Sequence, residues 1–342
     1  MKKYSFLFIL TLFFAIPFYA QTQFSIVSYN VENLFDCEND STTNDDEYTP
    51  TGKRGWGYGK YKNKLARIAK TLIALGEGKP PIVVGLCEIE NAKVLNDLVK
   101  YSPLKNFNYS FEHYDSPDRR GIDVGFLYQK NVFKPYFSQP IKVVFEQDPK
   151  GKTRDILHVA GTLLGKDTLH VFVCHFPSRL GGELESEHKR LNAASTLKNV
   201  VDSIFLINDK ANIVIMGDFN DYPDNNSLKN VLGATDPLSD IDSKKLYNMF
   251  YQYLDNPNVG THKYAGEWGI LDHILVSGNL LNTQNRWSTS KDDAKIFAAD
   301  FLLEDDTKNF GKKPFRTYIG FRYNDGFSDH LPIYINLTYR KK

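Results

Sequence analysis

Asn212-Ile213-Val214-Ile215-Met216-Gly217-Asp218-Phe219-Asn220 is an apolar run that ends in a glycine and two polar side chains. A short β-branched run of this kind reads as a buried strand. Asp218 and Asn220 alternate at its end, so both can face one pocket. Strand ends and the loops after them are where α/β enzymes place their chemistry. A turn also accounts for Asp-Phe-Asn-Asp. What gives the segment weight is that the pattern recurs.

Ser28-Tyr29-Asn30-Val31-Glu32-Asn33 follows the apolar FSIV, and Cys87-Glu88-Ile89-Glu90-Asn91 follows PPIVVGL. A turn explains the first, and a helix cap explains Asn91. Neither explains Glu88, a carboxylate at the end of an apolar run, which is costly without a partner. A hard cation such as Mg²⁺ is one such partner, since it prefers carboxylate oxygens. His175-Phe176-Pro177-Ser178-Arg179 follows LHVFVC and runs on to Gly181-Gly182, a donor-rich loop of the kind an anion site needs. Leu271-Asp272-His273-Ile274 lies inside an apolar stretch, and Ser328-Asp329-His330 precedes LPIYI. A His–Asp pair drawn from these would fix an imidazole tautomer and raise its basicity. Each cluster alone has a structural explanation. Together Asn30, Glu88, His175, Asp218, Asn220, Asp272, Asp329 and His330 form one ordered set.

The whole chain has 342 residues, 42% of them hydrophobic, enough for one large core or two small ones. Its 42 Lys+Arg against 41 Asp+Glu leave a net charge of +1. That composition excludes a disordered tail, a collagen or a disulfide-rich miniprotein. It also argues against nonspecific electrostatic capture of nucleic acid, while a local basic groove stays open. The three cysteines, Cys37, Cys87 and Cys174, are too few for a disulfide framework and lack the CxxC spacing of a zinc-thiolate site.

Residues 1–20 read as a signal peptide: Lys2 and Lys3, an apolar stretch over 6–16, and a cut after Ala20. The stretch falls short of the roughly 20 residues of a membrane span. The large Phe18 leaves an uncleaved anchor as the alternative. The expected location is secreted or periplasmic, with no membrane span after signal removal. Residues 21–342 show no linker and no repeat, so they read as one domain, and 37–58 as a long surface loop. Strands are expected at 24–29, 82–87, 108–113, 122–128, 141–145, 156–164, 169–176, 212–217, 271–276 and 331–337. Helices are expected at 61–75, where Leu65, Ile68, Ala69, Leu72 and Ile73 share a face, and at 92–100 and 185–207. Two packed sheets with outer helices account for this count.

The ordered motifs SYNVEN, GLCEIEN, HFPSR, GDFN, LDHILVS and SDHLP, spread over 24–337, resemble the endonuclease/exonuclease/phosphatase superfamily, the DNase I-like group, and in particular its secreted bacterial members. The resemblance implies a four-layer α/β sandwich, with two packed, mainly antiparallel sheets flanked by helices. It implies hydrolysis of phosphoester bonds with Mg²⁺, Mn²⁺ or Ca²⁺ as cofactor. It makes Glu88 the principal metal ligand, with Asn30 and Asp329 beside it and Asn30 also near the substrate. Asp218 and Asn220 would orient the attacking water and hold the phosphate. His330 would be the general base, oriented by Asp272. His175 would be the acid for the leaving oxygen and points away from the apurinic endonuclease branch, which has a tyrosine there. Asp123, in Arg120-Gly121-Ile122-Asp123-Val124, is the candidate partner of His175. Arg154, Arg179 and Arg190 are candidate phosphate contacts through planar donor forks; Arg190 reads equally well as a solvated helix residue.

The favoured substrate is a nucleic-acid phosphodiester, DNA or RNA, cut by an exported, monomeric nuclease. Phospholipid head groups or inositol phosphates are the alternative. A lipid-acting member should expose an apolar hairpin, for which 247–254 (YNMFYQYL) is a candidate, although it also reads as a core element. A non-catalytic binding module on the same fold is a further alternative.

Overall fold

A computed structural model describes residues 22–145, 148, 150–237 and 240–341. The expected signal segment, 1–20, lies outside them. The first sheet contains β1 (Thr22–Leu34), β2 (Val83–Ile89), β3 (Tyr109–His113) and β4 (Asp123–Gln129). The strand Ile333–Tyr339 and two short strands, Trp287–Ser288 and Ala294–Ile296, complete it. The second contains β5 (Phe133–Ile141), β6 (Ile156–Leu163), β7 (Asp167–His175), β8 (Ile213–Asp218) and β9 (Leu246–Asn248), with the strand Asp272–Ser277 between β8 and β9.

Alternation along the strands builds the layers. Ile26, Val83, Val171, Val173, Val214 and Met216 share one core between the two sheets. Their neighbours Val27 and Val84 face outward, into a second core with Leu65, Ile68 and Leu72 of α1 (Tyr58–Leu75) and Leu95 and Leu98 of α2 (Ala92–Tyr101). Phe172, Ile213 and Ile215 face the other way, against Ala194, Leu197 and Val201 of α3 (Glu183–Ile207). Successive side chains on opposite faces of a strand require this arrangement. The order is helices, sheet, sheet, helix. The four-layer sandwich implied by the motifs is the fold.

Two pairings depart from the antiparallel rule, and they position the site. β1 runs parallel to β2, with Asn30 opposite Cys87, and β7 runs parallel to β8, with His175 opposite Asp218. Each pair therefore delivers two carboxyl-terminal strand ends side by side. The strand Asp272–Ser277 runs antiparallel to β8 and sets Asp272 opposite Asp218.

Several boundaries differ from the sequence reading. The strand expected at 141–145 is instead β5, which ends at Ile141. Pro135 and Pro140 obscure it; β5 is an edge strand, where proline is tolerated, and its register slips between Pro135 and Phe137. The 37–58 loop is anchored: Tyr48 and Trp56 are buried, and Tyr48 stacks on Phe35 at 4.2 Å. In segment 247–254 the first half is core, with Tyr247, Met249 and Phe250 fully buried, and 251–254 is half-buried, so it does not project as an exposed apolar hairpin. Short hairpins between 303 and 323 had no counterpart in the sequence reading.

Candidate active site

Asp218, at the end of β8, is the hub. Its carboxylate accepts from the Asn30 amide at 3.1 Å and from the backbone N–H of Asn220 at 2.9 Å. Nε2 of His175 lies 3.7 Å from Asp218 Oδ2, and Nε2 of His330 lies 3.8 Å from the same atom. Nδ1 of His330 donates to Asp272 Oδ2 at 2.7 Å. Five residues spread over 300 positions of chain thus meet at one buried carboxylate.

The backbone bends to aim these groups. Glu88 has φ +66° and interrupts the pairing of β2 with β4, a bulge that turns its side chain out of the strand alternation. Glu32 and Asn33 (φ +53° and +56°) form a similar irregularity at the end of β1, and Asn220 has φ +51°. Strained residues of this kind persist where surrounding structure over-determines them, often at functional sites. Here Asn33 N–H donates to Glu88 Oε2 at 2.9 Å, linking the two bulges.

Electrostatics separates the two histidines. Burial, then the charges of Arg154, Arg120 and His330, hold the His175 pKa well below the ordinary value, so its imidazole is neutral. Burial works the same way on His330, but Asp272, Asp218 and Asp329 outweigh it and hold the pKa well above the ordinary value. Asp218 is pushed up to about 7, mainly by burial, with Asp272 adding to the shift and His330 opposing it. Asp329 sits below the usual carboxylate range, because His330, Arg316, His262 and Lys64 overcome its burial.

The motifs did not single out Glu32, His262 and Arg316. Glu32 is buried, accepts from the backbone N–H of Thr317 at 2.6 Å, and has a pKa raised to about 7 by burial first and Asp329 second. Arg316 reaches Asp329 at 2.9 Å and Glu32 at 3.4 Å. The ring of His262 lies 4.8 Å from that of His330. Glu32 was legible within SYNVEN; His262 opens a short hairpin strand and Arg316 lies in a loop, neither with a local signal.

The three expected phosphate arginines are committed elsewhere. Arg190 is fully buried against Asp221 at 2.7 Å, because α3 turns that face inward rather than to solvent. Arg154 donates to Asp118 at 3.0 Å and to the Phe176 carbonyl at 2.7 Å. Arg179 donates to the Asn220 carbonyl at 2.7 Å, Asn225 at 2.8 Å and Glu183 at 2.9 Å. The last two brace the loops that carry His175 and Asn220. Asp123 does not bond to His175, whose buried Nδ1 has no partner among the described residues. The register of β4 sets Asp123 opposite Ile89, and its carboxylate turns to Ser116 and His113.

The donor chemistry fits a hard divalent cation. Glu88 Oε1 makes no hydrogen bond among the described residues, and Glu32, Asp329 and Glu88 share the field of Lys64 and Arg316. These are oxygen donors, with the Asn30 amide beside them. Near the hub, the groups whose ligand atoms lie within 4.8 Å of one another are Asp218–Asp272–His330 and His262–Asp329–His330. Neither includes Glu88.

Comparison with known proteins places this geometry. A model of the endonuclease/exonuclease/phosphatase family matches residues 25–339. No curated protein sequence matches significantly. Among solved structures, two of D. rerio TDP2 are similar at 18% identity, covering 92% of this chain. One is a humanized form (TM-score 0.55, 98% of that chain) and one is complexed with single strand DNA product (0.53, 99%). The human Nocturnin catalytic domain with bound sulfate gives TM-score 0.54 at 15% identity over 93% of this chain and 94% of that one. An endonuclease/exonuclease/phosphatase family protein from Bacteroides thetaiotaomicron gives 0.55 at 13% over 94% and 100%. At these identities the solved structures speak for the fold, and the family match spans nearly all of the sequence. The chain belongs to the endonuclease/exonuclease/phosphatase family, whose members are divalent-metal-dependent enzymes that hydrolyse phosphoester bonds.

Proposed function

We propose that the protein is an exported nuclease that hydrolyses nucleic-acid phosphodiesters with Mg²⁺ or Mn²⁺. The carrying observation is the convergence of Asn30, His175, His330 and Asp272 on Asp218 at the edge where both parallel strand pairs end. The basic start and apolar stretch of residues 1–20 support export. The nucleic-acid reading draws on the D. rerio TDP2 structure with its DNA product. The burial of 247–250 weighs against the candidate hairpin for a lipid substrate.

A phosphodiester is anionic and repels a nucleophile. Glu88, with Asn30, Glu32 and Asp329, would hold a divalent ion, which would supply positive charge at the phosphate. Asp218, held by Asn30 and Asn220, is placed to take the proton of the attacking water, and its raised pKa of about 7 suits a base near neutral pH. The motifs assigned that role to His330. The protein's own field instead keeps His330 protonated, so its Nε2–H is a charged donor for a phosphoryl oxygen, oriented by Asp272. His175 is neutral and serves as a hydrogen-bond donor or acceptor rather than a ready acid. One P–O bond forms to water, the opposite one breaks, and the products are a phosphomonoester and an alcohol.

The test is a rate comparison on the mature chain with single-stranded DNA, plasmid DNA, RNA, sphingomyelin and inositol phosphates. We expect nucleic acid to be cleaved fastest, chelation to abolish cleavage, and Mg²⁺ or Mn²⁺ to restore it. Glu88→Gln should lower kcat at least about 100-fold with an unchanged melting temperature. Faster turnover of sphingomyelin or inositol phosphates overturns the substrate; undiminished activity after exhaustive chelation overturns the metal role.

A further inference from the structure

Outside the set of residues gathered on Asp218, three side chains converge where β3 ends and β4 begins. Ligand atoms of His113, Asp115 and Asp123 all lie within 4.8 Å of one another. Nδ1 of His113 lies 3.0 Å from the Val124 carbonyl oxygen. A carbonyl only accepts, so Nδ1 carries the ring proton and Nε2 presents its lone pair. That lone pair faces Asp115 Oδ1 at 3.2 Å and Asp123 Oδ2 at 4.0 Å, two further acceptors. The His113 side chain is 2% exposed and that of Asp123 4%, so water screens neither. A buried lone pair pointed at two carboxylates is repulsive unless a proton or a metal cation lies between them.

The surroundings are those of a ligand set. A metal-binding histidine typically donates its other ring N–H to a carbonyl or carboxylate, as His113 does to Val124. Asp123 is fixed in the same way: its Oδ1 accepts from the backbone N–H of Ser116 at 3.1 Å and from the Ser116 hydroxyl, while Oδ2 faces His113.

We propose that His113, Asp115 and Asp123 form a second metal site that takes Zn²⁺ and uses none of the residues assigned to the Glu88 site, although β4 pairs with β2 at the Glu88 bulge. An imidazole with two carboxylates suits a borderline transition ion better than Mg²⁺. Ligands at about 2.0–2.2 Å from one zinc lie roughly 3–3.6 Å apart at tetrahedral angles. The His113–Asp115 separation already meets this, and Asp123 needs a shift of a few tenths of an ångström. Asp115 is 84% exposed and free to adjust. The ion would staple both ends of the 114–122 loop. From that loop Asp118 holds Arg154, which holds the Phe176 carbonyl next to His175.

Zn²⁺ binding is measured by competition with a chromophoric chelator, and by the Zn²⁺-dependent rise in melting temperature, on the whole mature protein. Glu88→Gln should keep the tight Zn²⁺ event, because the site does not use Glu88. His113→Gln and Asp123→Asn should weaken it at least 10-fold and lose the melting-temperature rise. Asp115→Asn, at an exposed position, gives the same readout if a buried variant does not fold. Wild-type affinity in all three overturns the site. So does tight Zn²⁺ binding that vanishes in Glu88→Gln. No tight Zn²⁺ binding by wild type, with His113 doubly protonated by NMR, replaces the metal with an imidazolium.

Discussion

The Cys87 thiol donates to the Cys174 carbonyl oxygen at 3.3 Å, across the two sheets. Both cysteines are fully buried, and each immediately precedes a site residue, Glu88 or His175. A free thiol here acts as a small apolar side chain with a weak donor. The contact fixes how deeply the ends of β2 and β7 approach one another. Beside it, Met216 of β8 packs over Gly85 of β2, where a Cβ would come within 2.9 Å of the Met216 sulfur.

Gly217 tolerates no side chain in this arrangement. Its φ is +148°, and a Cβ would lie 1.8 Å from the Cys174 carbonyl oxygen. Gly217→Ala must therefore push β8 off β7 at the point where Asp218 and His175 meet. We expect a loss of about 3 kcal/mol or more in urea unfolding, or no soluble protein. A variant with wild-type stability would show that the two strands separate there at no cost.

How much of this was legible follows from where the signals lie. The strands carrying Asn30, Glu88, His175 and Asp218 are apolar and β-branched, and each ends abruptly in polar residues. Burial and chemistry are written in adjacent letters, and the ordered motifs led to the sandwich. β5 was missed because Pro135 and Pro140 are turn signals that an edge strand absorbs. Arg190 was misplaced because its ion partner, Asp221, is distant in sequence, and only a buried partner explains a buried guanidinium. His262, on a three-residue hairpin strand, and Arg316, in a loop, reach the pocket by tertiary folding of segments too short to show periodicity. The proposed move of the proton acceptor from His330 to Asp218 rests on the summed field of three carboxylates, which no local pattern encodes.

Arg190 should matter for stability rather than for phosphate binding. It is fully buried, ion-paired to Asp221 at 2.7 Å, and donates to Ser186 and the Glu183 carbonyl. Arg190→Ala leaves Asp221 charged and buried without this partner, a change worth about 3–5 kcal/mol. The melting temperature should fall steeply, while KM for a phosphodiester, measured well below the transition, stays within about twofold. A raised KM at unchanged stability would return Arg190 to the substrate.

Asp272 should act through His330. Its Oδ2 accepts from His330 Nδ1 at 2.7 Å, while its Oδ1 is buried with no partner among the described residues. Asp272→Asn removes the nearest charge that keeps His330 protonated and allows the opposite tautomer. We expect kcat to fall about 100-fold or more with little change in KM. The titration of His330, followed by NMR, should move to lower pH. An unchanged His330 titration would separate the two residues functionally.

His158 gives the fold an acid-sensitive element remote from the hub. It lies flat on Phe172, with ring centroids 4.2 Å apart, and its Nε2 is 3.2 Å from Nδ1 of His170. Burial, followed by the charge of His170, lowers its pKa to about 3. The unfolded chain takes up this proton near pH 6.5, while the folded chain refuses it until about pH 3. Between those values the unfolded state binds more protons, so this group removes stability as pH falls. Above pH 6.5 it contributes nothing. At pH 5 the penalty is roughly 1–2 kcal/mol. Buried carboxylates such as Glu90, raised to about 8 mainly by burial, act in the opposite direction, so the informative quantity is a difference between variants. His158→Phe keeps the stack on Phe172 and removes the titration. Relative to wild type, it should gain roughly 1–2 kcal/mol more in urea unfolding at pH 5 than at pH 7.5. An equal effect at both pH values would mean that His158 takes up its proton in the folded protein as readily as in the unfolded chain.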